Sequence, residues 1–406
     1  MIQGFFTPEE TKRTSLEVVS DTPKCGACGL YKKCKTPKMK PTNPGKPIMV
    51  VSDRPGVEED KQGRPLIGET SAMLSRLFSK YGVSIHHDVS LTYSTICHSE
   101  SPPSNAVDYC RPNLVNAIKK QKPKVIILLG GSAVFSLVPF LWKDDRKEMD
   151  KWMGWRIPSQ KLNAWVCPTY HPSFLLHSKN PYFEREFRNH IKKALSLKSR
   201  PFRDKRKLSD DEVGILYNRK DIKKAIEKMM DEEYPIAFDY ETNCIKPYNS
   251  YAAIRCIGMS NGVRTIAFLI QGNEEIVRDF LKSDHAKIGQ NTKFEDEWSK
   301  EIFGVWPKNV RWCGMINAHL ISPTIERGIT TVKFQSFVRF GVPAYEEAIK
   351  PYLEGKGSYG INRVFDAPEK TLLKYCGMDA LVEWWVDHAQ MKDMGFPVTL
   401  PEDRIP

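Results

Sequence analysis

The stretch Ile236-Ala237-Phe238-Asp239-Tyr240-Glu241-Thr242 places two acidic residues inside an apolar segment that is typical of a β-strand. Side chains alternate along a strand, so Asp239 and Glu241 point to the same face. A charge in such a strand is costly unless it is paired or binds a cation. The strand therefore predicts an acidic pair that can share a metal ion, with a strand end bearing solvated acids as the alternative.

Acidic residues recur in two segments further along the chain. Residues 289–296 follow a short predicted strand and open a helix that carries Glu295 and Asp296, although acids are common at helix starts for dipole reasons alone. Tyr375 and Asp379 are four residues apart, so they share one face of a predicted helix. There the tyrosine could orient an attacking water or simply pack in the core. Hard divalent cations need several carboxylates that converge on one point.

In order and spacing, these three segments resemble the exonuclease motifs of the DEDD-superfamily proofreading exonucleases of the DNA polymerase I type. The resemblance covers about residues 234–392 and implies a ribonuclease-H-like fold and two Mg²⁺ or Mn²⁺ ions. It implies that Tyr375 orients the water, that Asn291 binds substrate, and that the metal ligands are Asp239, Glu241, Glu295 and Asp379. The family usually has aspartate where Glu295 stands. Glutamate is one methylene longer and can still bind a metal, and Asp296 is the alternative ligand.

The surrounding sequence predicts an antiparallel meander with helices stacked after it. Strands are predicted at residues 235–240, 254–260 and 265–269. Helices are predicted at residues 221–230, 274–282, 293–303, 312–321, 332–340 and 370–391. This mixed sheet with helices suits the ribonuclease-H-like architecture.

The first half of the chain alternates strands and helices, which predicts an α/β fold with a parallel sheet covered on both faces. Ligands in such folds bind at the carboxyl ends of the strands, and both Asp53 and His171 fall there. Residues 125–142 are uncharged and long enough to suggest a membrane span. Gly130-Gly131 and Pro139 interrupt them, so we expect a buried strand, a glycine turn and a short helix, and no membrane association.

Five cysteines of this half form two groups. Cys25 and Cys28 form a pair with two residues between them, Cys34 follows, and Cys97 and Cys110 come much later. A CxxC pair alone fits zinc, redox chemistry or no function. The remote pair is compatible with four-cysteine ligation of an iron–sulfur cluster, and zinc remains the alternative.

Three motifs of this half closely resemble the [4Fe–4S] (family 4) uracil-DNA glycosylases: residues 52–60 (SDRPGVEED), 63–68 (GRPLIG) and 169–176 (TYHPSFLL). The resemblance covers about residues 24–197 and implies the uracil-DNA glycosylase fold. It implies a [4Fe–4S] cluster held by Cys25, Cys28, Cys97 and Cys110, with Cys34 as an additional cysteine.

The residues that would act on uracil depart from that family. Asp53 replaces its glutamate, Leu66 its stacking phenylalanine and Tyr93 its uracil-reading asparagine, whereas His171 is unaltered. Tyrosine cannot offer the paired donor and acceptor of an amide, and it is bulky enough to fill the pocket. We therefore expect altered specificity or lost uracil excision.

Length and charge agree with two nucleic-acid-binding domains. A chain of 406 residues is long for one core, and its net charge of +12 suggests a polyanion partner, DNA first. Domains are predicted at residues 1–197 and 213–406, joined by a basic linker at 198–212 that could contact DNA. Residues 1–16 lack the apolar core of a signal peptide, which predicts the cytoplasm, that of a bacterial host if the protein is phage-encoded.

A glycosylase-like domain ahead of an exonuclease domain resembles the N-terminal part of certain phage DNA polymerases. Here the chain ends at Pro406, soon after Asp379. The expectation is a proofreading subunit of a split polymerase, whose partners are DNA and a DNA polymerase chain or other replication proteins. A repair enzyme that also excises uracil and a catalytically inactive scaffold are the alternatives. The altered uracil pocket argues against the first alternative, and the complete carboxylate set argues against the second.

Overall fold

The computed structural model describes residues 22–142, 149–178, 180–200, 209–323, 326, 328–357 and 360–398. They fall into two compact units. The N-terminal unit lies within residues 15–205 together with 323–326, and the C-terminal unit lies within 206–322 and 327–406. The central part of the predicted linker, residues 201–208, lies outside the described residues, so the predicted domain borders stay predictions.

The N-terminal unit is built on a five-stranded sheet in the order β2-β1-β3-β5-β4. Its strands are β1 (Ile48–Ser52), β2 (Val89–Tyr93), β3 (Val125–Leu129), β4 (Ile157–Ser159) and β5 (Ala164–Thr169). Neighbouring strands are parallel except for the β4–β5 pair. Every residue of β1, β2 and β3 is buried, as expected for a parallel sheet with helices on both faces. Strand β4, a three-residue edge strand that contains a proline, was not predicted from the sequence.

Helices cover this sheet. They are α1 (Cys25–Cys28), α2 (Val57–Gln62), α3 (Glu69–Ser79), α4 (Ala106–Gln121), α5 (Gly130–Leu141), α6 (Pro172–His177) and α7 (Pro181–Ser196). The segment 125–142 is a buried strand followed directly by a short helix, as predicted, and the glycine pair begins that helix. Within the described residues, no helix is both long and apolar enough to cross a membrane.

The C-terminal unit contains a six-stranded mixed sheet in the order β11-β10-β7-β8-β9-β6. Its strands are β6 (Val213–Ile215), β7 (Ile236–Thr242), β8 (Ile254–Ser260), β9 (Thr265–Leu269), β10 (Lys287–Gly289) and β11 (Val310–Cys313). Strands β7, β8 and β9 form the predicted antiparallel meander, and β10 and β11 continue the sheet in parallel with β7. The ribonuclease-H-like architecture expected for this half is therefore confirmed.

Helices of the C-terminal unit are α8 (Arg219–Met230), α9 (Glu274–Lys282), α10 (Thr292–Phe303), α11 (Gly314–Ile321), α12 (Val332–Phe340), α13 (Lys350–Leu353) and α14 (Glu369–Asp393). The helix predicted at residues 312–321 was wrong at its start, because Trp312 belongs to β11 and α11 begins at Gly314. Pairing with β10 takes Trp312 into the sheet, and a short apolar run does not by itself distinguish a strand from a helix.

Helix α14 lies unusually close to the sheet. A Cβ atom added to Gly258 on β8 would lie 2.2 Å from the carbonyl oxygen of Cys376, and one added to Gly377 would lie 2.4 Å from Cγ1 of Val213. The two glycines therefore let the helix backbone approach the strand backbone. This approach brings Tyr375 and Asp379 of α14 over the acidic strand β7.

Gly258→Ala should destabilise the C-terminal unit, because the added methyl overlaps backbone atoms that cannot move aside independently. We expect a loss of about 1–3 kcal/mol or more in the free energy of unfolding, measured by urea denaturation of the full chain. Gly214→Ala on β6 is the matched control, since its Cβ would have ordinary contacts, the nearest at 3.5 Å from the Thr265 carbonyl oxygen. Equal stability of the two variants would contradict the close approach.

Candidate active site and cysteine cluster

The C-terminal unit brings together acidic side chains from three separate elements. Asp239 and Glu241 come from β7, Glu295 from the first turn of α10 and Asp379 from α14. Ligand atoms of Asp239, Glu241 and Cys376 all lie within 4.8 Å of one another. The predicted strand pair therefore does share one face.

These carboxyl groups lie close enough to interact electrostatically. Burial, and then the Asp379 carboxylate, raises the pKa of Asp239 to about 8. Burial, and then the charge of Asp239, raises the pKa of both Glu241 and Glu295 well above the ordinary glutamate value. Such a concentration of buried acids is unfavourable when all are ionised, unless cations balance them.

Unsatisfied oxygens support a cation site. Among the described residues, Oε2 of Glu295 and Oε2 of Glu383 are buried and have no hydrogen-bond partner. Buried polar atoms are normally paired, and hard divalent cations prefer carboxylate oxygens. The donor set thus fits Mg²⁺ or Mn²⁺, with Asp239, Glu241, Glu295 and Asp379 as the residues that would hold the ions.

Glu295 and its neighbour Asp296 differ in environment. Glu295 is 5% exposed, and Asp239 is the largest charge acting on it. Burial raises the pKa of Asp296, and after burial and Asp239 the charge of Asp296 also raises the pKa of Glu295. Glu295 stays the predicted ligand from α10, with Asp296 as the alternative. The predicted substrate residue, Asn291, lies at the start of the same helix and is partly exposed.

Sequence reasoning missed Glu383, which lies one turn beyond Asp379 on α14. Its side chain is buried, and burial together with the charge of Asp239 raises its pKa well above the ordinary value. The same four-residue spacing that identified Tyr375 and Asp379 could have found it.

Cys376, in contrast, is a residue of the core. It is fully buried, and its thiol donates a hydrogen bond to the backbone carbonyl of Asp239 at 3.5 Å. Burial also raises the pKa of this thiol well above its usual value, which keeps it protonated.

Tyr375 is buried beside these acids. Nζ of Lys333 donates a hydrogen bond to its hydroxyl oxygen at 2.5 Å, and the ring of Tyr345 lies 5.9 Å away, centroid to centroid. Tyr345 itself donates a hydrogen bond to Oδ1 of Asp379. Neither Lys333 nor Tyr345 was found from the sequence, because both reach the site from segments without a local motif.

In the N-terminal unit, His171 and Asp53 lie at the carboxyl ends of β5 and β1, as predicted. The two ring nitrogens of His171 lie 3.0 Å from Oγ of Ser52 and 2.6 Å from Oγ of Ser173. Burial lowers the pKa of His171, so the ring is held neutral. The Asp53 carboxylate forms an ion pair with Arg54 at 2.8 Å.

Tyr93 and Leu66 contact each other directly. The backbone N–H of Leu66 donates a hydrogen bond to the Tyr93 hydroxyl at 3.1 Å, and both side chains are buried. Leu66 has a φ of +51°, a left-handed conformation that is uncommon for residues other than glycine. The tyrosine thus occupies the space beside Leu66 and engages its backbone N–H.

Four of the five clustered cysteines surround one small cavity: Cys25, Cys28, Cys97 and Cys110. Two of them accept hydrogen bonds, Cys97 Sγ from the backbone N–H of Lys38 at 3.3 Å and Cys110 Sγ from the Asn113 amide at 3.4 Å. Cys34 packs beside Cys97 but does not line the cavity. Four thiols around one space fit a four-cysteine cofactor.

Known proteins are similar to parts of this chain. The family model of the uracil DNA glycosylase superfamily matches residues 39–195. The type-4 uracil-DNA glycosylase of Saccharolobus solfataricus is 30% identical to this chain, over 45% of this chain and 88% of its own length. That of Thermotoga maritima is 29% identical, over 46% of this chain and 96% of its own length. Among solved structures, the exoribonuclease RNase D of Escherichia coli has a TM-score of 0.35 at 14% identity, over 45% of this chain and 44% of that one. This chain therefore spans less than half of the length of that RNase D.

The cysteine geometry predicts which thiols matter for iron. Protein purified without oxygen should contain about four irons per chain, as a four-cysteine cluster requires. Cys97→Ser should lose most of this iron, whereas Cys34→Ser should keep it, because only Cys97 lines the cavity. Iron and zinc analysis of both variants tests this. Stoichiometric zinc without iron, or equal iron loss in the two variants, would refute it.

Proposed function

We propose a function for this chain, which belongs to the uracil-DNA glycosylase superfamily through its N-terminal unit. The chain joins that unit to a unit of exonuclease fold, which makes it a nucleic-acid-processing protein. The proposal is that the C-terminal unit is a metal-dependent 3′→5′ DNA exonuclease. The N-terminal unit then binds DNA, holds a [4Fe–4S] cluster and excises uracil poorly or not at all.

The exonuclease proposal rests on one observation above all, the convergence of buried carboxylates with unpartnered oxygens at the crossing of β7 and α14. Two divalent ions, when bound there, supply the activation of water and the charge stabilisation of phosphodiester hydrolysis. Asp239, Glu241, Glu295 and Asp379 are the residues proposed to hold these ions. The hydroxyl of Tyr375, fixed by Lys333, is proposed to orient the water.

The contact between Tyr93 and Leu66 supports weak uracil excision. A missing aromatic platform for the base removes about 1–3 kcal/mol of stacking. A base edge that finds no hydrogen-bond partners leaves buried polar atoms unpaired, at a cost of about 1–3 kcal/mol. Together the losses amount to roughly 2–6 kcal/mol. This free energy lowers the rate by a factor on the order of tens to tens of thousands.

The proposed setting is proofreading in a split polymerase, with a separate DNA polymerase chain as the partner and a phage genome as the source. The domain order and the net charge of +12 support it. A repair enzyme that also excises uracil is less well supported, because Leu66 and Tyr93 stand where the resembling family has its stacking phenylalanine and its uracil-reading asparagine, and because His171 is engaged by two serines.

The test is degradation of 5′-labelled single-stranded DNA, with and without one uracil, by the full chain in Mg²⁺ or EDTA. We expect a ladder from the 3′ end only with Mg²⁺. Asp239→Asn should reduce its rate by about a hundredfold or more, because one lost carboxylate weakens the hold on the ions. Asp284→Asn, a highly exposed aspartate of the same unit, is the control and should cleave normally.

In the same assay the uracil strand should yield few abasic sites in EDTA. A wild-type ladder from Asp239→Asn would overturn the exonuclease proposal. Robust formation of abasic sites that is lost in His171→Ala would instead restore the two-activity repair enzyme.

A further inference from the structure

One cation reaches into the acidic cluster from outside the three motifs. Lys333 lies on α12, and its Nζ is 3.3 Å from Oδ2 of Asp379 and 3.6 Å from Oε2 of Glu346. It also donates the 2.5 Å hydrogen bond to the hydroxyl oxygen of Tyr375. These contacts place a positive charge between a proposed metal ligand and the proposed water-orienting residue.

Helix α12 holds this lysine firmly. Thr331 caps the N-terminus of the helix, and its hydroxyl accepts a hydrogen bond from the backbone N–H of Phe334. Most of its other side chains are buried in the core, which anchors the backbone beneath Lys333. The ammonium also lies 4.8 Å from the ring centroid of Tyr375.

The lysine is an ammonium at neutral pH. A lysine side chain ordinarily loses its proton only well above neutral pH, and two carboxylates lie beside this one. An ammonium can only donate hydrogen bonds, so the Tyr375 oxygen must be the acceptor. The single O–H of Tyr375 is then directed to Asp379: burial, and then this carboxylate with its hydrogen bond, raise the pKa of Tyr375.

We propose that Lys333 is a positioning residue of the exonuclease site, a fixed cation that orients the Tyr375 hydroxyl and offsets part of the carboxylate charge. The inference rests on the proposed function and adds to it a residue that sets both metal affinity and turnover. Two effects of opposite sign follow. Without the lysine, the carboxylates attract divalent ions more strongly, whereas Tyr375 loses the donor that holds it.

Lys333→Met should therefore bind Mn²⁺ about tenfold more tightly, because a neighbouring like charge is removed. Its kcat at saturating Mn²⁺ should fall about tenfold, because the hydroxyl is no longer fixed. Mn²⁺ binding to the full chain is measured by electron paramagnetic resonance, and kcat by degradation of labelled DNA. A merely structural role would weaken both properties together.

Two variants complete the test. Glu346→Gln removes the charge of the lysine's second carboxylate partner and alters no proposed ligand. The ammonium then interacts more strongly with Asp379, so Mn²⁺ binding should weaken. Lys308→Met removes an exposed lysine of the same unit and should change neither property. The Glu346 variant keeps the test valid if Lys333→Met does not fold.

Mn²⁺ affinity that is unchanged or weaker in Lys333→Met, or unchanged in Glu346→Gln, would overturn the role of Lys333. Unchanged kcat in Lys333→Met would overturn it as well. If no variant degrades DNA while the opposite shifts in affinity persist, the proposed function fails and the charge-balancing role stands. If the wild-type chain binds no Mn²⁺, both proposals fail.

Discussion

The close crossing of α14 over the central sheet is the constraint on which the C-terminal unit depends. Gly258 and Gly377 remove the side chains that would separate helix from sheet, so Tyr375 and Asp379 lie directly over Asp239 and Glu241. The same crossing forces several carboxylates into a buried volume, which destabilises the fold when they are ionised. Lys333 balances only part of this charge, and the remainder is the physical reason to expect divalent ions.

The polar groups at the two candidate sites differ in how completely protein partners engage them. In the N-terminal unit the groups at the strand ends are engaged by protein partners: His171 by two serines, Asp53 by Arg54, and the Leu66 N–H by Tyr93. In the C-terminal unit, buried oxygens of Glu295 and Glu383 lack partners among the described residues. The oxygens of Glu295 and Glu383 are therefore available to a bound cation, whereas the two oxygens of Asp379 already have Tyr345 and Lys333 as partners.

Much of this architecture follows from local sequence. The two-residue period of a strand puts Asp239 and Glu241 on one face, and the four-residue spacing on a helix does the same for Tyr375 and Asp379. Apolar runs located most strands, but Trp312 was assigned to a helix because its partner β10 is remote in sequence. Lys333 and Tyr345 could not be found this way, since only tertiary folding brings them to Asp379. The hydrogen bond between Tyr93 and the Leu66 N–H could not be found this way either, because the two residues lie 27 positions apart.

The central claim is that the acidic cluster of the C-terminal unit binds divalent ions for phosphodiester cleavage. Anomalous diffraction at the manganese edge, from crystals of the full chain soaked in Mn²⁺, tests it most directly. We expect manganese bound by Asp239, Glu241, Glu295 and Asp379, with Asp296 outside the coordination sphere. Well-ordered crystals without manganese at these carboxylates, or with manganese bound by Asp296 in place of Glu295, would contradict it.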